Sequence, residues 1–190
     1  METIAFSGTL RKEAGNKAVL KKMRGEELVP CVLYGGKENV NFSAPESSFR
    51  PIIFSPYTYI IALSIDGKEY KSVLKDTQFH PVAGNLLHAD FYEVSETEPV
   101  VVKIPVKVIG QSEGVKMGGK LTIDKRKLAV KGLLKSIPSE IEVDITELVL
   151  GKSIRAGEIK CDGLEILEPV GSPVLSIRAT RASRAAATEK

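Results

Sequence analysis

The sequence predicts a mainly β chain of two domains, with one or two short helices in the first and a second that is all β. Three observations carry this reading. Short apolar runs that alternate with polar residues, divided by Gly, Pro, Asp or Ser, recur along the 190 residues. Asp66-Gly67 separates two such runs, and this dipeptide supplies a two-residue hairpin turn with positive φ at both positions. Residues 95–99 (SETEP) are polar, acidic and end in proline, which places a boundary between a first domain, 1–94, and a second, 95–179.

The elements follow in order. Residues 3–11 alternate, with Ile4, Phe6 and Leu10 on one side, as a half-buried strand does. Residues 18–24 lack Gly and Pro and are rich in Ala, Leu, Lys, Met and Arg, so they predict a short helix closed by Gly25. Val19, Leu20 and Met23 share one of its faces, leaving Lys17, Lys21, Lys22 and Arg24 outward. Residues 28–34 (LVPCVLY) form an apolar, β-rich run interrupted only by Pro30 and ended by Gly35-Gly36, hence a central strand. Residues 42–55, broken by Pro45 and Pro51, read as a short helix that starts in the polar cluster 45–48. The hairpin arms are 59–65 and 68–75, and residues 76–94 alternate at both ends around Pro81 and Gly84-Asn85. In the second domain the runs 100–109, 121–123, 127–130, 141–145, 164–167 and 174–179 are spaced as in a sandwich or barrel rather than in βαβ units. Residues 180–190 have no core-forming pattern and are expected to be disordered when free.

Composition narrows the function. No run approaches the roughly 18 apolar residues of a membrane span, and the N-terminus lacks a secretory pattern, so a cytoplasmic protein is expected. Cys31 and Cys161 lie too far apart for a disulfide framework or zinc site and read as buried thiols. The net charge of +3 is small, but its placement is uneven. Residues 1–94 hold eleven basic and eleven acidic side chains, yet residues 11–24 contain Arg11, Lys12, Lys17, Lys21, Lys22 and Arg24 against Glu13 alone. The overall excess comes from the end of the chain, where Arg178, Arg181, Arg184 and Lys190 face only Glu189.

Each candidate constellation has a bland counterpart. A charge run on a short helix is commonly a solvated face, though this one is nearly pure in sign within a neutral domain and suits phosphate oxygens. Tyr34, ending a strand, either stacks a base or is a barrel-rim tyrosine. His80 and His88, with Asp76 and Asp90 near them in sequence, are separated by Pro81 and the Gly84-Asn85 turn, and no Cys or Glu completes a metal set. Polar contact to base edges or ribose hydroxyls fits them better. The segment GVKMGGK, 114–120, begins like a phosphate-binding loop, but Leu121 replaces the required Ser or Thr, and a glycine-rich β-turn is expected instead. Glu140, Glu142, Asp144 and Glu147 form either an acidic strand edge for a basic protein partner or a solvated face.

The run RKEAGNKAVLKKMRGEELVPCVLYGG (11–36), followed by KDTQFHPVAGNLLHADFYEV (75–94), resembles the N-terminal domain of bacterial large-subunit ribosomal protein twenty-five, in its two-domain Ctc or general-stress form. VKIPVKVIGQSEGVKMGGKL and IPSEIEVDITELVLGKSI are similar to that family's C-terminal domain in order and spacing. The resemblance implies an N-terminal β-barrel that binds 5S ribosomal RNA, topologically like the anticodon-binding region of glutaminyl-tRNA synthetase. It also implies no enzymatic activity and no cofactor, any magnesium lying on the RNA side. The implied partners are 5S RNA and neighbouring large-subunit proteins, for a chain monomeric when free. Carried across, the basic contacts fall on Arg11, Lys17, Lys21, Lys22 and Arg24, the aromatic contact on Tyr34, and a second cluster on Lys75, His88 and Asp90. Gln78 and His80, in the same motif, are assigned to loop architecture. Where the family carries two arginines, Lys21-Lys22 stand here, keeping charge but losing the planar fork. Changing Lys21, Lys22 and Arg24 together to Ala is expected to weaken RNA binding without harming the fold. The alternative role is a stress-related protein-protein adaptor working through the second domain.

Overall fold

The computed structural model describes residues 2–11, 16–36, 38–95, 97–159, 161 and 163–180. The chain forms two compact units, one running through Val102 and one beginning at Lys103. The predicted disorder of residues 181–190 and the start of the basic run, 12–15, lie outside the described residues.

The first unit is a closed six-stranded barrel of β1 (Glu2–Leu10), β2 (Leu28–Tyr34), β3 (Val40–Pro45), β4 (Tyr59–Ile65), β5 (Lys68–Phe79) and β6 (Leu86–Glu93), in the order β1-β3-β2-β6-β5-β4. Two neighbour pairs, β1 with β4 and β2 with β6, are parallel. Alternation puts one side chain in two inside, where the rings of Phe6, Phe42, Phe49 and Phe91 meet with centroids 4.9 to 6.2 Å apart. Cys31 sits fully buried in this core, and burial pushes its thiol pKa up, so it stays protonated and inert. Cys161, expected to be buried as well, is only partly so.

The Asp66-Gly67 turn forms as predicted, with φ of 46° and 83° at its two positions. Three local expectations change. Strand β3 was not foreseen, because its short run VNFSAP ends in proline and carries two polar residues; pairing to β1 on one side and β2 on the other makes it a strand. The expected helix begins after it, as a tight turn over Glu46–Phe49 followed by the single helical turn Arg50–Ile53, with Pro51 where the missing N–H costs nothing. Leu10, predicted to face inward with Ile4 and Phe6, is 44% exposed at the end of its strand.

Helix α1 (Lys17–Gly25) connects β1 to β2. Asn16 caps it, its side chain accepting from the Ala18 N–H at 3.1 Å. The left-handed residue after the helix is Glu27, φ 59°, rather than the expected Gly25. None of its residues is buried: Val19, Leu20 and Met23 are half-covered, so the helix lies on the barrel's exterior and presents its lysines to solvent.

The second unit holds a four-stranded sheet, β10 (Ile141–Asp144), β7 (Val100–Ile109, whose first three residues belong to the first unit), β9 (Lys127–Gly132) and β12 (Glu165–Ile166), and a three-stranded sheet, β11 (Ser153–Arg155), β13 (Pro173–Arg178) and β8 (Lys120–Ile123). Ile104, Leu128, Val130, Val174, Leu175 and Ile177 are among its buried residues. The short β11 was not predicted, and the 114–120 segment is not a plain β-turn. Ser112 accepts from the Gly114 and Val115 N–H groups and starts a one-turn helix, Glu113–Lys116, which an N-cap serine favours. On β10, an edge strand, the acidic residues are partly neutralised: Lys107 on the paired β7 reaches Glu140 at 2.5 Å and Glu142 at 3.6 Å.

Candidate nucleic-acid interface

The outward positions of β2, β6 and β5 collect most of the predicted residues. Register pairs Tyr34 with Tyr92 and Val32 with Asp90 across the parallel β2–β6 ladder, and Asp76 with Asp90 and Gln78 with His88 across β5–β6. These side chains alternate with buried Leu33, Ala89 and Phe91, so they share the outer face. The Tyr34 and Tyr92 rings meet edge to face at 5.7 Å. Burial first, then the carboxylates of Asp90 and Asp76 and the adjoining Tyr92, push the Tyr34 phenol above its ordinary pKa, which keeps it a hydrogen-bond donor. Gly35 is required here: its φ is 97°, and a Cβ would lie 2.6 Å from the Tyr92 ring.

Two bulges shape this face. Between Leu74 and Asp76 one residue, Lys75, is left without a partner on β6. Its ammonium donates to the Val101 carbonyl at 3.0 Å and stands 5.8 Å from the centroid of the Tyr92 ring. At the second bulge Gln78 pairs with His88 but Phe79 with Leu86, leaving Leu87 over. The Leu87 carbonyl accepts from Arg24 Nε at 3.2 Å and Nη2 at 3.1 Å. Arg24 thus ties the C-terminal turn of α1 to the strand that carries His88 and Asp90, and the fork geometry of a guanidinium is what allows both bonds to one oxygen.

His88 and Asp90 are one pleat apart on β6, with Nδ1 2.7 Å from Oδ1. The contact is short but badly aligned, since the same nitrogen is buried and makes no hydrogen bond of acceptable geometry. We therefore treat the two as neighbours that both retain capacity to bond a ligand. Asp76 opposite Asp90 places like charges across the ladder, an arrangement unfavourable for the isolated fold. His80 has a structural task, its Nδ1 accepting from the N–H groups of Val82 and Ala83 at 3.2 and 3.0 Å. Gln78, assigned to loop architecture from sequence, instead lies within β5 beside His88.

Lys17, Lys21 and Lys22 are exposed on α1, Lys22 only loosely paired with Glu26 at 3.9 Å. Arg11 follows the last residue of β1 and is half-buried. Its backbone N–H bonds the Asn41 carbonyl at 2.9 Å, which extends the outer row Asn41–Val32–Asp90 by one strand to Arg11.

Comparison with known proteins settles what kind of chain carries this face. Residues 6–91 match the model of the ribosomal L25p family, and residues 99–181 match that of the ribosomal protein TL5 C-terminal domain. A large ribosomal subunit protein bL25 of Porphyromonas gingivalis is 43% identical over 192 residues, covering 100% of both chains. One from Bacteroides fragilis is 42% identical, covering 98% of this chain and 97% of its own, and one from Parabacteroides distasonis is 37% identical with 98% of each covered. The chain belongs to the ribosomal L25p family. It is a structural ribosomal protein and not an enzyme, and family membership places it in the cytoplasm.

Within this L25p barrel, sequence reasoning missed Tyr92 and the outward place of Gln78, while Asp76, weighed beside the histidines, was not carried into the contact set. The i, i+2 spacing of His88, Asp90 and Tyr92 was a usable signal for the first. Asp76 and Gln78 depend on strand register past a bulge, which no local pattern reveals.

Proposed function

We propose that the first unit holds 5S ribosomal RNA within the large subunit, α1 gripping phosphates while the outer face of β2, β5 and β6 reads the minor-groove side. One observation supports this most: Arg24 fastens a helix bearing exposed Lys17, Lys21 and Lys22 beside His88, Asp90 and Tyr34. Lysines suit phosphates, whereas Asp76 and Asp90 would repel them and instead accept from base amino groups and ribose 2′-hydroxyls. An unfavourable carboxylate pair retained on an exposed sheet is what such a reader needs. Tyr34 and Tyr92 offer ring surface and a phenolic donor. No cofactor enters this reading, and any magnesium belongs to the RNA.

The test is a titration of the chain against 5S RNA and an unrelated RNA duplex at several salt concentrations. With about five phosphates neutralised, log affinity for 5S RNA should fall against log salt with a slope of roughly −3 to −5. Binding indifferent to salt would remove the phosphate grip, and equal affinity for both RNAs would remove the claim to 5S. The Lys21, Lys22 and Arg24 triple change is a poor probe, because Arg24 also holds the Leu87 carbonyl. Lys17, Lys21 and Lys22 together to Ala tests the grip without disturbing that bond.

A further inference from the structure

Three large apolar side chains of the barrel stand in solvent: Phe54 is 77% exposed, Phe79 41% and Val82 90%. Phe54 follows the helical turn Arg50–Ile53, Phe79 ends β5, and Val82 lies in the turn that His80 holds through the Val82 N–H. Phe54 and Phe79 line an open groove of about 320 Å³, together with Ile53, Gly84 and Leu86. The fold makes no use of the exposed rings, because Phe49, Ile52 and Leu86 from the same elements already fill the inward positions. In a regular strand Phe79 would alternate with Gln78 and turn inward; the bulge between them leaves both exposed. Single exposed apolar residues are ordinary, whereas neighbouring ones gathered around a groove mark an interaction surface.

The polar part of the lining selects the partner. Glu27 and Glu46 stand together, the Glu46 N–H donating to the Glu27 carbonyl at 2.9 Å, and both line the groove. Glu46 Oε1 accepts from the Leu86 N–H at 3.0 Å, which leaves its other oxygen to a ligand, and Glu27 is exposed. Against these two carboxylates the lining sets one guanidinium, that of Arg50. Phosphates are repelled by such a pair, whereas a Lys or Arg gains charge-assisted hydrogen bonds there. The Phe54 and Phe79 rings accept an apolar side chain, or the stem of the same cation. The volume is at the small end of ligand sites, so it takes one or two side chains of an extended segment and not the face of a domain.

We infer that this groove docks an extended basic segment of another protein, with a Lys or Arg against Glu27 and Glu46 and an apolar side chain between Phe54 and Phe79. The inference stands apart from the RNA-binding reading. Leu86 lies two residues before His88 on β6, and the groove uses none of the residues assigned to RNA.

The experiment is site-specific photocrosslinking in purified large subunits, the full chain carrying p-benzoylphenylalanine in place of Phe54, of Phe79 or, as a control, of Glu69, exposed near the other end of β5. Crosslinked residues are mapped by mass spectrometry. Positions 54 and 79 should link to one segment of another protein, beside a Lys or Arg, with a yield about fivefold above that at 69. Adding Glu27→Lys should lower the yield at 54 by about threefold, because the new ammonium repels the incoming cation. Links to RNA, to a second copy of this chain or to a segment without a cation overturn the inference. So does a yield no higher than at 69, or one unmoved by Glu27→Lys. Position 79 decides the matter if the chain altered at Phe54 fails to enter the subunit.

Discussion

At the scale of single residues, two glycines of the barrel show how different physical demands select the same residue type. A Cβ on Gly8 would stand 2.5 Å from Cδ2 of Phe42, a fully buried ring whose centroid is 5.3 Å from that of Phe91. The ring has no room to withdraw, so Gly8→Ala should cost about 1–3 kcal/mol through overpacking. Gly67 faces open space, and its only constraint is a φ of 83°. Gly67→Ala should therefore cost less, about 1 kcal/mol, through backbone strain alone. Urea unfolding of the two variants measures the difference; a Gly8→Ala no more damaging than Gly67→Ala would mean the core yields where the packing says it cannot. Only one of these glycines was readable in advance. The Asp66-Gly67 dipeptide declares its turn locally, whereas Gly8 is fixed by a side chain two strands' sequence away.

Elements are positioned by a few bonds that sequence patterns do not announce. Helix α1 has no buried residue, so its attachment depends heavily on the pair of bonds from Arg24 to the Leu87 carbonyl. Arg24→Ala should lower stability by about 1–2 kcal/mol and weaken RNA binding as well, while Lys21→Ala should stay within about 0.5 kcal/mol of wild type. Thermal unfolding of both separates them, and equal stability would show that the clamp contributes nothing. Arg24→Lys should rescue only partly, since an ammonium cannot reproduce the fork. In the second unit, the turn after β10 is closed by Asp144, which accepts from the Thr146 N–H at 2.8 Å and from its hydroxyl at 2.5 Å. Those bonds hold the Asp144 carboxyl below its ordinary pKa of 3.8. A lowered folded-state value means the stabilisation is present above that pH and fades as pH falls through the folded value. Thr146→Val, which keeps the N–H bond and removes the hydroxyl bond, should thus destabilise at neutral pH and flatten the loss of stability below about pH 4; an unchanged acid limb would rule the hydroxyl out as a contributor. The same contrast governs what could be read from sequence. LVPCVLY and the hairpin arms were legible because their signal is local, but β3, β11 and both bulges of the β5–β6 pair exist only through partners distant in sequence. Tyr34, His88 and Asp90 were found by resemblance, and their juxtaposition with Tyr92 and Asp76 required the register.

Over the whole chain, charge placement separates attraction from recognition. Residues 1–94 are neutral in total, yet the α1 lysines sit beside hydrogen-bonding groups; the net +3 of the chain comes from Arg178, Arg181, Arg184 and Lys190 against Glu189. Phosphate attraction is the same for any RNA, so cations lacking neighbouring readers add affinity without preference. Two variants test this division on the proposed RNA reading. Lys17, Lys21 and Lys22 changed to Ala should make the salt slope shallower by about 2–3 and also narrow the preference for 5S RNA over an unrelated duplex, because the lysines hold the RNA in register with Tyr34, His88 and Asp90. Arg181, Arg184 and Lys190 changed to Gln remove as many charges and should flatten the slope at most comparably while leaving the ratio of the two affinities unchanged. Titrations of both RNAs at three or more salt concentrations give slope and ratio from the same data. If the second variant narrowed the preference more than the first, recognition would lie with the end of the chain and not with the helix that Arg24 fastens to β6.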